Sequence, residues 1–184
     1  DDIFRIASQT KAVTSTAVMM LWEEGKFMLD EPISKYIPEF KNPMVLKTFN
    51  PKDSSYTTEP ARGEITVRQL LTHSSGIDYA AIGSAEFQAI YAKTGVPSGI
   101  GTSQALLADK IKILASLPLK HHPGERWTYG LNTDVLGYLV EVWSGMTLND
   151  FLRKRIFEPL GMKDTHFYQP ASNHGRLVTL YQGT

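Results

Sequence analysis

Cysteine is absent from the 184 residues, which excludes disulfide staples and thiol catalysis and leaves the redox compartment unread. Net charge is missing as well. With 19 basic residues against 19 acidic ones and a pI near 7.2, the chain lacks the electrostatic footprint of a protein that grips nucleic acid or an acidic membrane. Its longest apolar stretch, Ala17 to Trp22, falls far short of the roughly 20 residues that cross a bilayer, and no N-terminal segment has the pattern of a signal peptide. Internal repeats and low-complexity tracts are lacking too. What remains is an ordinary globular composition. A chain of this length buries about 70% of the surface its unfolded form exposes, so one core can hold without a metal or a disulfide.

Helical punctuation dominates what is there. From Ser8 to Glu24 the apolar residues Val13, Ala17, Met20 and Leu21 recur at i, i+4, i+7 and i+8, which predicts one helix with a buried stripe and Gly25 as its stop. Pro32, Pro38 and Pro43 break the next segment into turns and one short helical piece. Residues 41–63, with Pro51, Ser54, Ser55, Pro60 and Gly63, read as a loop. Thr66 with Gln69 is a capping box opening a short helix that ends at His73-Ser74-Ser75-Gly76. Further helices are expected over 84–93 and over 103–117, where Leu107, Ile111 and Leu114 share a face before Pro118. Another runs over 133–144, with Val135, Leu139, Val142 and Trp143 together before Gly145. A Thr147/Asp150 cap starts the last, which reaches Phe157. Gly95, Pro97, Gly99 and Gly101 mark a flexible stretch. Strand signals are confined to 3–6 and 176–181, too little for a stable sheet. The pattern is that of an all-helical domain, or of the helical region of a mixed one.

Among residues that could carry chemistry, Ser8-Gln9-Thr10-Lys11 stands first, an S-x-x-K at a helix start. Ordinary Ser and Lys usage places that pattern about once in a chain of this size by chance. Residues at i and i+3 lie one above the other, so the Lys11 amine can reach the Ser8 hydroxyl. A neutral lysine can then take the proton that keeps a serine a poor nucleophile. A lysine with the ordinary pKa of about 10.4 must be destabilised by roughly 4.6 kcal/mol to be half neutral at pH 7. The helix dipole supplies at most about 2 kcal/mol, so desolvation or a second cation must supply the rest. Tyr129, after the Pro123-Gly124 turn, is the second candidate, since a phenol beside a cation can shuttle a proton; its bland alternative is a ring packed under a turn. His121, His122, His166 and His174 lack metal-ligand spacing and read as surface or capping residues, and His73 as a hydrogen-bonding turn residue. G-x-S-x-G is absent, and the glycines from 95 to 101 are not followed by a phosphate-loop Lys. Met19, Met20, Trp22 and Trp143 read as core, and Arg153, Lys154 and Arg155 as a solvated face.

The combination resembles a family. Phe4-Arg5-Ile6-Ala7-Ser8-Gln9-Thr10-Lys11, then Leu29-Asp30-Glu31-Pro32 and Tyr36-Ile37-Pro38, look like the opening of the class C β-lactamase-related serine hydrolases, which include D-alanyl-D-alanine carboxypeptidases and penicillin-binding-protein-like esterases. Residues Ile65 to Ile77 are similar to that family's helix and H-T-S-G-L turn, with Ser75 and Ile77 as variants. Pro123-Gly124 through Tyr129-Gly130 with Asp134 to Gly137, Pro159 to Met162 with Thr165, and Arg176-Leu177 with Tyr181 continue the order. The resemblance implies an α+β β-lactamase/transpeptidase-like fold. Residues 1–184 are then a single region, the Ser-bearing helix and helical domain, truncated at both ends and with the main sheet largely missing. It also implies Ser8 as the acylated nucleophile, Lys11 as its base, Tyr129 as the proton relay and the Ser8 N–H as half an oxyanion hole. The substrate would be a small ester, β-lactam or peptide, with no cofactor, metal, nucleic acid or membrane span, and family habit suggests a periplasmic or secreted protein. Two departures matter. The β-lactamase Y-x-N has Leu131 in its third position, with Asn132 one residue late, which favours the esterase-like branch. The family's third motif, a Lys/His-x-Gly on a sheet strand after the helical region, does not occur in that place. The alternatives are a β-lactamase or a D-alanyl-D-alanine carboxypeptidase and, in another class, a catalytically silent homologue that binds a peptide or partner.

Overall fold

Residues 1–96 and 105–181 are described by the structure, a computed structural model; most of the expected flexible glycine stretch and the first residues of the expected 103–117 helix lie outside them. The chain enters through a 3₁₀ turn, Ala7–Gln9, that runs directly into α1, Thr10–Glu23. The buried side of α1 is Thr14, Ala17, Val18 and Leu21, not the expected stripe through Val13 and Met20, which are only partly buried. The helix is apolar almost all round, so periodicity alone cannot say which side is covered. Trp22, expected in the core, is exposed.

Two short 3₁₀ turns, Ile33–Lys35 and Pro38–Phe40, fill the proline-broken segment. The expected loop over 41–63 is instead an antiparallel hairpin, β1 Met44–Phe49 against β2 Tyr56–Pro60, with an irregularity between Leu46 and Thr48. Its prolines and serines sit at the turn and edge, while Val45, Thr48, Phe49, Tyr56, Thr57 and Thr58 supply the β-branched and aromatic residues a pleated surface favours. Leu119 bridges to β1 by two backbone bonds of 2.8 Å, and Lys120 N–H donates to Gly76 O at 2.7 Å, tying the hairpin to the turn after α2. The two end segments meet in a parallel bridge, Ile3 to Leu177, flanked by Arg5 Nη1 donating to Val178 O and Arg176 Nε donating to Asp1 O, each at 2.9 Å.

α2, Val67–Leu71, opens with the expected capping box: Thr66 Oγ1 accepts Gln69 N–H and the Gln69 side chain accepts Thr66 N–H. α3 spans Ala85–Thr94, α4 Leu107–Ala115 and α5 Asn132–Ser144. α6, Leu148–Leu152, is capped by Thr147 and continues as a π turn, Arg153–Phe157. α5 is the hub, packed against α1, α2, α4 and α6. Its buried residues Asn132, Val135, Leu136, Leu139 and Val140 form one stripe, continued by Trp143, whose ring stacks on Phe27 at 3.9 Å. Val142 was expected in that stripe; it falls on the helix flank and is exposed.

Candidate active site

The site forms where the start of α1 meets the loop before α5. Ala7 has φ +43, a left-handed backbone uncommon outside glycine, and this bend sets Ser8 in a 3₁₀ turn. Residues i and i+3 eclipse there, which carries the Ser8 hydroxyl over Lys11, the second residue of α1. Lys11 Nζ donates to Ser8 Oγ at 3.2 Å. From 121 residues along the chain Tyr129 brings its hydroxyl to the same oxygen, also at 3.2 Å, and Lys11 Nζ lies 5.1 Å from the Tyr129 ring centroid. The three residues singled out in the sequence therefore meet around one atom, and Ser8 is open to solvent. The Lys11 ammonium, with help from the Ser8 hydroxyl, holds the Tyr129 phenol below its ordinary value.

Tyr129 is held from several sides. Its ring stacks on Tyr79 at 5.5 Å, with 7° between the planes, and has Trp127 at 6.1 Å and His73 at 5.1 Å. The loop carrying it packs without clearance: a Cβ on Gly130 would stand 2.0 Å from Ile77 O. Tyr79, three residues after the glycine turn, carries no sequence signal as a site residue, because its role is a stack across the chain. Asp134 is another residue the sequence does not single out. It lies in the first turn of α5, with its carboxyl pushed up by burial against the pull of the Lys11 charge.

Asn132, the displaced amide, lies fully buried. Its Oδ1 accepts from Ser75 Oγ and its Nδ2 bonds His73 Nδ1 at 2.9 Å, so it braces the turn after α2 and offers nothing to a substrate. His73 is the turn residue expected. His121 and His122, expected as surface or capping residues, are instead buried. His121 Nε2 meets Thr128 Oγ1 at 2.9 Å and His122 Nδ1 accepts Arg62 N–H at 3.3 Å, so both are packing residues beneath the Tyr129 loop. Metal-ligand spacing gives no hint of this: His121 is satisfied within its own loop by His122 O and Thr128, and His122 by Arg62 and Glu59 beyond β1. The basic run is solvent-facing as expected, with Arg153 paired to Glu158 and Arg155 Nη2 to Glu24 at 2.6 Å.

A profile of the family described as Beta-lactamase matches residues 1–184. An uncharacterised protein of Mycobacterium tuberculosis is 40% identical over 183 residues, 99% of this chain and 43% of its own length. Esterase EstB of Burkholderia gladioli is 35% identical over 167 residues, 91% of this chain and 39% of its own length. The solved structure of EstCE1, described as a hydrolase with promiscuous acyltransferase activity, matches with a TM-score of 0.80 at 30% identity, over 98% of this chain and 43% of its own. The chain thus spans about two fifths of the length of the relatives it matches.

Proposed function

The chain belongs to the beta-lactamase family and has the β-lactamase/transpeptidase-like fold, here mostly its helices, and from that premise we propose that it is the nucleophile-bearing part of a serine hydrolase of the esterase-like branch. The observation that carries the reading is the meeting of Lys11 Nζ and Tyr129 Oη on the Ser8 hydroxyl, each at 3.2 Å. Lys11 as the free amine takes the hydroxyl proton as Ser8 Oγ attacks an ester carbonyl carbon, and the ammonium it becomes is the charge that faces Tyr129. The carbonyl oxygen takes up the electron pair and meets the backbone N–H of Ser8. As the tetrahedral adduct collapses, the bond to the alcohol breaks and Tyr129 passes a proton to the departing oxygen. A phenol held below its ordinary value gives that proton more readily. Water then attacks the Ser8 ester by the reverse sequence and releases the acid.

Esters are favoured over lactams and D-alanyl peptides because the buried Asn132 is committed to Ser75 and His73, leaving no amide at this point of the loop to orient a substrate amide. The esterase and hydrolase relatives support the same choice. The test is intact-mass spectrometry of the full-length protein, wild type and Ser8→Ala, exposed to a penicillin and to a p-nitrophenyl ester. Wild type is expected to gain the acyl mass from the ester and to turn it over, and Ser8→Ala to gain nothing. A folded wild type that gains no mass from either probe would point to a silent binding homologue.

A further inference from the structure

His73 has no part in that reaction, yet its bonds converge on the residue that does. Its carbonyl accepts Thr128 N–H at 2.7 Å and its ring Nδ1 accepts Gly130 N–H at 3.4 Å, so both peptide neighbours of Tyr129 are fastened to one residue whose ring also lies against the Tyr129 ring. A backbone N–H can only donate, which makes Nδ1 the acceptor and puts the hydrogen of the neutral imidazole on Nε2. The buried amide beside it fixes the same direction. Ile77 N–H donates to Ser75 Oγ at 3.1 Å, Ser75 donates in turn to Asn132 Oδ1, and Asn132 Nδ2 is left to donate to His73 Nδ1.

We propose that His73, as an uncharged Nε2–H imidazole, is the positioning residue of Tyr129, and that a proton on its Nδ1 releases the phenol and switches the site off. The proposal rests on the reading of Tyr129 as the proton relay. Protonation would turn Nδ1 into a donor facing two donors, Gly130 N–H and Asn132 Nδ2, so both bonds are lost together. The titratable groups that reach the ring are Lys11 on α1, through its charge, and Tyr129, whose ring lies against it; Tyr79 and Asp134 act on Tyr129. Burial first and the Lys11 charge second keep the imidazole below its ordinary value, so the clamp is closed at neutral pH and opens on the acid side.

The experiment follows kcat and KM of the full-length protein on p-nitrophenyl butyrate from about pH 5 to about pH 9. His73→Phe keeps a ring against Tyr129 without an acceptor, and is expected to lose roughly 10- to 100-fold in kcat with KM changed less than about twofold. His73→Asn tolerates the left-handed backbone that residue 73 adopts, φ +54, and offers an amide oxygen that does not titrate. It is expected to recover about tenfold of that loss and to remove the part of the acid-side fall in kcat that follows His73, leaving the part that follows protonation of Lys11. A wild-type acid limb in His73→Asn, or a His73→Phe kcat within about twofold of wild type, overturns the proposal. Nitrogen NMR of the ring in Ser8→Ala reads the clamp without catalysis. An unprotonated Nδ1, and a Tyr129 ring signal that moves as His73 titrates, are expected. An Nδ1–H tautomer or an indifferent Tyr129 overturns the proposal, whereas failure of Ser8 acylation would overturn the reaction and leave this result standing.

Discussion

Ala7 and His73 adopt positive φ, +43 and +54, without being glycine, and both border the reacting groups. Such backbone costs on the order of 1–3 kcal/mol and persists only where the surroundings hold it. At Ala7 it sets the nucleophile turn, and at His73 it lets carbonyl and ring face the same loop. Gly130 shows the opposite constraint. A Cβ there would stand 2.0 Å from Ile77 O, 2.7 Å from Ile77 C and 2.9 Å from Asp78 O, all backbone atoms that cannot swing away. Gly130→Ala is therefore expected to cost about 3 kcal/mol, read as a lower urea midpoint, and to displace the neighbouring phenol so that kcat falls as well. A midpoint equal to wild type would show that the Tyr129 loop has slack that this packing denies. Ser8, Lys11 and Tyr129 were legible as residue types in recognisable patterns. Tyr79 and the His73 clamp were not, because each acts through a partner far along the chain and spacing encodes no such pairing.

At the scale of elements, capping carried most of what could be read in advance. The box at Thr66 and the cap at Thr147 both form, since each is a local bargain between side chain and backbone that needs no tertiary context. The hairpin over 44–60 is masked in the sequence by the Pro and Ser that crowd 41–63 around its β-branched residues. The facing side of α1 is masked because apolar residues occur on nearly every side of the helix. One element-scale feature sets a pH response. Glu31 fastens the turn between α1 and the 3₁₀ turn Ile33–Lys35, accepting from Lys35 Nζ at 2.8 Å, from Tyr36 Oη, and from Met28 N–H at 3.2 Å. These donors, Lys35 foremost, lower its carboxyl to about 2. A carboxyl depressed in the fold contributes stability that is fully present above its unfolded value and is lost as pH falls through its folded value. Glu31→Gln should therefore melt below wild type at neutral pH, with the gap holding down to about pH 4.5 and closing as the pH approaches about 2. A gap independent of pH, in paired thermal melts, would mean that the carboxylate charge is not what holds the turn.

Across the whole molecule, the hairpin side and the helical side are joined through Asp78. Its side chain is 2% exposed. Oδ1 accepts Tyr79 N–H at 2.9 Å, while Oδ2 accepts Ser84 N–H and Ser84 Oγ at 3.1 Å each and Lys120 Nζ at 2.9 Å. Lys120 follows Leu119, which bridges to β1, Ser84 opens α3, and Tyr79 stacks on Tyr129, so one carboxylate links sheet, helices and site. Removing the cation leaves a buried charge served only by dipoles. Breaking a fully buried pair costs about 3–5 kcal/mol, and the 30% exposure of the Lys120 side chain lowers that to ~2 kcal/mol for Lys120→Met. Asp78→Asn keeps a carbonyl acceptor but has to turn an amide N–H₂ toward donors, and is expected to cost a similar ~2 kcal/mol. Neither defect adds to the other once both charges are gone, so the double variant should be more stable than the sum of the single changes by about 1–3 kcal/mol in urea unfolding. Strict additivity would reduce the pair to two independent surface and packing effects. Coupling of that size, with a loss of ester turnover in Lys120→Met that tracks a shift in the Tyr129 ring signal, would make Asp78 the joint through which the hairpin holds the phenol in place.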